Sequence, residues 1–230
     1  MLFAERSNEK EFMDDADFKG GDVNDSFRFI KLTNQFGGGR TAVISCIKKA
    51  LRHIDQAREI SLLDIGCGIG DMGNAIINWG RLNGRHISYT GLEKSKHIID
   101  EAKKRVRSEK LSFVQADLFD SHIPQADLIV VSMVLHHLSD SEVVAAIAHL
   151  AKFARVAVLI NELERSALSY MLCQVMTAGF CNHKTRHDAL VSIKKGFTRC
   201  ELHKLINQAG LSGEVRRALG WRVIAVIPIT

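Results

Sequence analysis

The chain has 230 residues, 46% apolar and 25% charged, which is enough for one α/β domain with a buried core and ordinary for a globular protein. No apolar run approaches the roughly 20 residues that cross a bilayer, and the N-terminal MLFAERSNEKEFMDD lacks the apolar core of a secretion signal, so the expected compartment is the cytoplasm. A net charge of +5 raises nucleic acid as a partner, but the basic residues are scattered, the densest run (Lys103 to Arg107) falls in an expected helix, and two Tyr and two Trp offer little base stacking, so that class is disfavoured.

In chain order, about forty polar, mostly helical residues come first. From Thr41 to Ala57 apolar residues recur with helical period (Val43, Cys46, Ile47, Ala50, Leu51, Ile54), with Thr41 placed to cap the start. Ser61 to Ile65 reads as a buried strand, broken at once by glycine. Helical character resumes from Asp71 to Trp79. A second strand spans Ile87 to Leu92, a helix runs from about Ser95 to Arg107, a third strand covers Leu111 to Ala116, and a fourth, DLIVVS, covers Asp127 to Ser132. Ser139 and Glu142 form a capping box that opens a helix, and Ala154 to Ile160 gives a fifth strand. Thr198 and Glu201 form a second capping box, for a helix that stops at Gly210. Glu214 to Ile229 reads as a strand pair turning near Leu219-Gly220. Strands alternating with helices imply a parallel sheet covered on both faces. The 37 residues 162–198 exceed an ordinary connection and have the length of a lid or binding element.

Five cysteines without a C-x-x-C pair fit a reducing compartment, with thiols used as small hydrophobes. Cys181, His183 and His187 have ligand-like spacing, but no fourth ligand lies nearby, and no metal is expected.

The stretch LLDIGCGIGDMG holds four glycines, and Gly68 to Gly73 satisfies G-x-G-x-x-G. In an open α/β sheet such a loop, at the carboxyl end of the first strand, is where a nucleotide sits. A pyrophosphate needs an uncharged loop, whereas here Asp64 precedes the first glycine and Asp71 follows the third. Two carboxylates repel a pyrophosphate and suit a ligand carrying an ammonium and a sulfonium charge.

The segment D-I-G-C-G-I-G strongly resembles the first motif of class I S-adenosylmethionine-dependent methyltransferases. Further resemblances follow in register: YTGLEKS ending the second strand, VQADLFD ending the third, SMVLHHLSD after the fourth, and KGFTRCELHKLINQAGL near the last helix. The resemblance implies a Rossmann-like α/β fold: a seven-stranded, mostly parallel sheet with helices on both faces and an antiparallel last strand, plus N-terminal helices and a helical insertion after strand five. It implies S-adenosylmethionine as cofactor and S-adenosylhomocysteine as product. Asp64, Gly66, Gly68 and Gly70 would contribute the loop, Glu93 and Lys94 the ribose end, Asp117 and Leu118 the adenine end, Ser132 the strand-four edge, and Arg40 the carboxylate. On this reading one domain divides into a helical cap (1–58), a cofactor-binding core (59–161), a substrate lid (162–198) and the last helix with terminal strands (199–230).

Methyltransferases of planar amide-like nitrogens carry an Asn- or Asp-Pro-Pro-aromatic segment after strand four, and this chain has Ser132-Met-Val-Leu instead. Oxygen, or secondarily carbon, of a small molecule is the expected acceptor. A phenol or enol must lose a proton near neutral pH, which suits histidine. His136 is the first candidate base, and His187 is its rival, with Asp188 or Glu162 to orient it. Asn161, Glu162, Arg165 and Tyr170, just beyond strand five, are candidate substrate contacts, and the insertion's Met171, Leu172, Met176 and Phe180 offer an apolar surface. The segments E-F-M-D-D, G-G-G-R, N-E-L-E-R-S and T-R-H-D look like those of stand-alone methyltransferases of polyketide or quinone pathways, including ubiquinone/menaquinone biosynthesis, which implies an aromatic or polyketide-like small-molecule acceptor and a monomer or homodimer. The alternatives are ring C-methylation, a nucleic-acid or protein methyltransferase, a dinucleotide oxidoreductase, and a non-catalytic S-adenosylmethionine-binding protein.

Overall fold

A computed structural model describes residues 3–14, 21–105, 108–179 and 181–229, without the side chains of 14 and 21–24. Asp15, Val106, Arg107 and Phe180, all cited above, lie outside the described residues. Seven strands form one sheet: β1 (Ile60–Ile65), β2 (Ile87–Glu93), β3 (Leu111–Gln115), β4 (Ala126–Ser132), β5 (Ala154–Leu163), β6 (Glu214–Ala218) and β7 (Arg222–Pro228). Their order is β3-β2-β1-β4-β5-β7-β6. β1 to β5 pair in parallel, and β7 runs antiparallel to both β5 and β6. The strand order reverses between β1 and β4, which puts a ligand crevice above their carboxyl ends.

Successive residues of the central strands face opposite sides, so a strand buried on both faces reads as continuously apolar. Leu63, Ile65, Ile129 and Val131 pack with Val143 and Ile147 of α5 (Asp140–Ala151) and Leu202 and Leu205 of α8 (Arg199–Gln208). Leu62, Leu128 and Val130 pack with Val43 and Ile47 of α2 (Gly39–Ala50) and Ile76 of α3 (Asp71–Leu82). Each such side chain removed from water contributes about 1.5–3 kcal/mol. The second and third strands are joined through α4 (Lys96–Arg105).

Both capping boxes form, Ser139 with Glu142 and Thr198 with Glu201. Several boundaries differ from the sequence reading. Thr41 is not a cap: α2 begins two residues earlier, behind Gly38 in the left-handed region, and ends at Ala50. The backbone turn of Gly38, rather than a hydroxyl, starts this helix. β5 continues to Leu163, because pairing with Arg222–Ile224 of β7 extends it past the apolar run, so Asn161 and Glu162 stand within the strand. The last long helix ends at Gln208. Residues 162–198 carry two helices, α6 (Ala167–Thr177) and α7 (His183–Lys195), and α1 (Gly21–Phe36) precedes α2.

The turn between β6 and β7 meets the α1–α2 junction backbone to backbone. A Cβ on Gly220 would stand 1.8 Å from the Gly37 carbonyl oxygen, at φ 77°. Gly220→Ala is expected to cost about 2–4 kcal/mol, a fall in Tm of roughly 5–10 °C. Gly210 has the same φ sign with nothing within 4 Å, so Gly210→Ala serves as the control and should cost about 1 kcal/mol. Equal shifts for the two variants would refute the close-approach account.

Candidate active site

The first strand ends at Ile65, and the amides of Gly66 and Cys67 both donate to the Leu92 carbonyl, at 2.8 and 3.1 Å. Gly66, Gly68 and Gly70 all adopt positive φ, a path that side chains other than glycine resist. Glu93 organises the loop by accepting from the Gly68 amide at 3.2 Å and the Ser95 amide at 3.0 Å. Asp64 lies beneath the loop, 2% exposed, accepting the Tyr89 hydroxyl at 2.6 Å. Burial pushes its carboxyl up to about 7, and the charges of Asp71 and Glu93 add to this against the Tyr89 hydrogen bond. Asp117 pairs with Lys94 at 2.8 Å and accepts the Phe119 amide at 3.0 Å, while half-buried Leu118 packs on the core. The Lys94 bond holds the Asp117 carboxyl below its usual range. Ser132 accepts from Asn161 Nδ2 at 2.8 Å.

The N-terminal helices cover this loop. Phe27 packs over Gly68, and Asn34 and Arg40 approach Asp71, at 3.5 Å from Nδ2 and 3.8 Å from Nη2. Asn34 Oδ1 and Arg40 Nε are buried without a hydrogen-bond partner. An unmet buried acceptor beside an unmet guanidinium donor is a costly pair unless a ligand completes them.

Under the N-terminal helices lies a cavity of ≈ 170 Å³, walled mainly by apolar groups of α1, α6, α7 and the β6–β7 turn, including Phe29, Ile30, Met176, Ile193 and Trp221, with Asn34, which approaches Asp71, also in its wall. His136 enters its wall from the 3-10 turn Leu135–His137 that follows β4. Its Nδ1 lies 2.7 Å from Glu162 Oε2, while Glu162 Oε1 accepts the amides of Val134 and Leu135, at 2.9 and 2.7 Å. Burial alone would raise the Glu162 carboxyl, but the His136 ring and these amides outweigh it and hold it low. A carboxylate on Nδ1 makes Nδ1 a donor. Nε2 is buried and makes no hydrogen bond; it lies 3.9 Å from Glu11 Oε1, itself 3.4 Å from the Lys195 ammonium. His137 stacks on His136 with centroids 4.2 Å apart. Glu11, His136 and His137 thus bring ligand-type atoms within 4.8 Å of one another, but the Lys195 ammonium already supplies the positive charge there.

The N-terminal segment is clamped across this wall. Arg6 donates to the carbonyls of His136 and Leu138, at 3.2 and 2.8 Å, with its guanidinium 4.2 Å from the Phe197 ring centroid. Asp188 accepts the amides of Phe12 and Met13 at 2.8 and 3.0 Å.

The structure separates the remaining candidates. Glu162 orients His136 rather than His187, because β5 carries it directly beneath the turn after β4. His187 lies outside the cavity wall, against the Phe12 ring, with Nε2 3.2 Å from Glu9 and Nδ1 3.3 Å from Asp188. Arg165 also lies outside the wall: it is buried, donates to the carbonyls of Gly196 and Phe3 at 2.7 and 3.1 Å, and pairs with Glu201. It ties the insertion to the N-terminal segment. Tyr170 packs on Phe3, centroids 5.5 Å apart, and Met171 points outward; Ser169, Cys173 and Met176 are the α6 residues that reach the cavity.

Four wall residues escaped the sequence reading. Glu11 and Asn34 lie in segments whose periodicity carries no chemical signal. Met133 adopts φ 61°, rare for a side chain of this kind, with its amide on the Asn161 carbonyl at 2.9 Å. Arg222 opens the apolar strand RVIAVIP, and a charge heading a doubly buried strand was the available signal.

Residues 62–156 match the family model described as methyltransferase domain. No curated protein sequence matches the chain. Among solved structures, the chain is similar to the plantazolicin methyltransferase BpumL in complex with S-adenosylhomocysteine (SAH), with TM-score 0.67 and 14% identity over 90% of this chain and 94% of that one. It is similar to the SAH-bound magnesium protoporphyrin IX methyltransferase of Synechocystis PCC 6803, with TM-score 0.60 and 16% identity over 91% and 97%. It is also similar to an O-methyltransferase family protein from Burkholderia thailandensis, with TM-score 0.64 and 15% identity over 91% of this chain and 61% of that one. The glycine loop, the acids ending β2 and β3, and the turn after β4 all sit on the matched segment or its border. A methyltransferase-domain model thus matches residues 62–156, and the chain as a whole shares its fold with these solved methyltransferases.

Proposed function

We propose that the protein transfers a methyl group from S-adenosylmethionine to a hydroxyl oxygen of a small aromatic or polyketide-like molecule, with His136 as general base. The observation that supports this reading is the buried Glu162–His136 pair, with His136 in the wall of an apolar cavity and its Nε2 making no hydrogen bond among the described residues. The residues around that loop fit the cofactor. Its carboxylate matches the unmet donor of Arg40, its ammonium the unmet acceptor of Asn34, and its ribose hydroxyls the spare lone pairs of Glu93. Asp117 stands at the adenine end.

When bound, the cofactor supplies an electrophilic methyl carbon. The chain's own residues position the acceptor and accept its proton. His136 Nε2 takes the hydroxyl proton. The imidazolium so formed is held between Glu162 and Glu11, and Lys195 balances the second carboxylate. Glu162 is a positioning residue, since it fixes the tautomer and the ring plane. The apolar wall and the clamped N-terminal segment exclude water from the acceptor oxygen. The 162–198 insertion and the N-terminal helices act as the covering elements. Among the described residues no helix is long and apolar enough to cross a membrane.

Thermal unfolding with S-adenosylmethionine, SAH and NADH added separately tests the cofactor. A ligand at a hundred times its Kd adds about 2.7 kcal/mol, a rise of roughly 5–10 °C in Tm at this chain length. The expected result is a rise with the first two alone; a rise with NADH alone would overturn the methyltransferase reading.

A further inference from the structure

Arg222 is 2% exposed and stands in the cavity wall, yet among the described residues its guanidinium makes no ion pair. Among the described residues its one hydrogen bond runs from Nη1 to the Met133 sulfur at 2.6 Å, a weak acceptor, and Nε has no partner there. The acid whose charge acts on it, Glu162, is already occupied by His136 Nδ1 and two amides. Burial pushes the guanidinium down to about 10, with Glu162 opposing the shift, so the group still carries its charge at neutral pH. A buried charge without a counter-ion is among the most costly features a fold can hold.

A second unmet group adjoins it. A Cβ on Gly39 would stand 3.3 Å from Arg222 Nη2 and 2.5 Å from Asn34 Oδ1, so the two side chains converge on one small volume. Asn34 is 7% exposed and its Oδ1 has no donor. One wall of the cavity therefore presents an unpaired cationic fork next to an unpaired acceptor. The complement of that pair is an oxyanion flanked by a hydrogen-bond donor.

We propose that Arg222 and Asn34 form a binding subsite for a carboxylate carrying a neighbouring donor group, with the carboxylate on Arg222 and the donor on Asn34. Two sources share this chemistry: the α-ammonium carboxylate of the cofactor, whose carboxylate would then sit on Arg222 in place of Arg40, and a hydroxy-acid group on the acceptor. The inference rests on the methyltransferase reading only for the first source. Without a ligand Arg222 destabilises the fold, and the ligand supplies the missing counter-ion.

The test is titration calorimetry and thermal unfolding of wild type, Arg222→Met and Arg222→Gln. The probes are SAH, 5′-methylthioadenosine (which lacks the amino-acid end) and salicylate, a carboxylate flanked by a hydroxyl, given to the free and SAH-loaded protein. Removing an unpaired buried charge is expected to raise the ligand-free Tm by about 2–4 °C, the reverse of what loss of a structural ion pair would do. If the cofactor is the source, both variants bind SAH about 10–100-fold more weakly and 5′-methylthioadenosine as before. If the acceptor is the source, SAH binding holds and salicylate binding is lost. Unchanged binding of both SAH and salicylate in the variants overturns the proposal, whatever the Tm. Should Arg222→Met fail to fold, Arg222→Gln carries the same comparison. Wild-type protein that takes up salicylate but not SAH would sink the methyltransferase reading while leaving the subsite standing, and wild type that binds neither overturns both.

Discussion

His136→Asn is expected to lower kcat for methyl transfer by about 10²–10⁴ while SAH affinity and Tm stay near wild type. Asparagine places its amide nitrogen close to the position of Nδ1, so the bond to Glu162 survives and the buried carboxylate is not stranded. What disappears is Nε2, the atom at the cavity wall. Glu162→Gln approaches the same end from the other side. A glutamine amide beside Nδ1 favours the tautomer whose proton sits on Nε2, which can no longer accept one. The expected loss is again about 10²–10⁴ in kcat, with little change in KM. His187→Asn, outside the wall, should stay within a few-fold of wild type. If His136→Asn also stays within a few-fold across the pH range, the general-base role is wrong and the pair is a packing element of the turn.

Asp64→Asn should make the ligand-free protein more stable and the cofactor weaker-binding, two changes of opposite sign from one atom replacement. Folded Asp64 keeps its proton up to about 7, whereas the unfolded chain releases it near 3.8. Between those values the folded state holds the extra proton, so this group makes wild-type stability fall as pH rises through the window and level off above it. The variant lacks that slope. Its advantage should be near zero at pH 4 and grow to as much as ~4 kcal/mol at pH 8, a gap in Tm on the order of 5–10 °C or more. Asparagine still accepts the Tyr89 hydroxyl, so packing is conserved. Unfolding curves of the two proteins from pH 4 to pH 8, with and without SAH, give the answer. A variant less stable than wild type at pH 8 would show that the Tyr89 bond to a charged acceptor outweighs desolvation.

Both experiments probe features of different legibility. The glycine loop, the acid at the end of β2 and the two capping boxes depend on neighbours within a few residues. Their chemistry is local: a bend that needs positive φ, a hydroxyl and a carboxylate three residues apart. The apolar runs of β1 and β4 are equally local, since a strand buried on both faces has no alternation to preserve. Boundaries set by other strands were less legible. β5 runs three residues past its apolar stretch only because β7 offers hydrogen-bonding partners there, and that extension draws Glu162 into the sheet below His136.

By itself the amino-acid sequence determined the layered α/β architecture, the place of the glycine loop at the carboxyl end of β1 and the two acids that flank it. Each follows from residue type and spacing along the chain. Only the tertiary structure distinguishes the surroundings of His136 and His187, because they turn on which carboxylate reaches which ring, and those partners lie 26 residues apart for His136 and Glu162. It alone withdrew Arg165 into a structural tie with Glu201 and brought Arg222 beside Asn34. Pairing and burial of charged groups are properties of distant segments brought into contact, and no local pattern encodes which charge will be left without a partner.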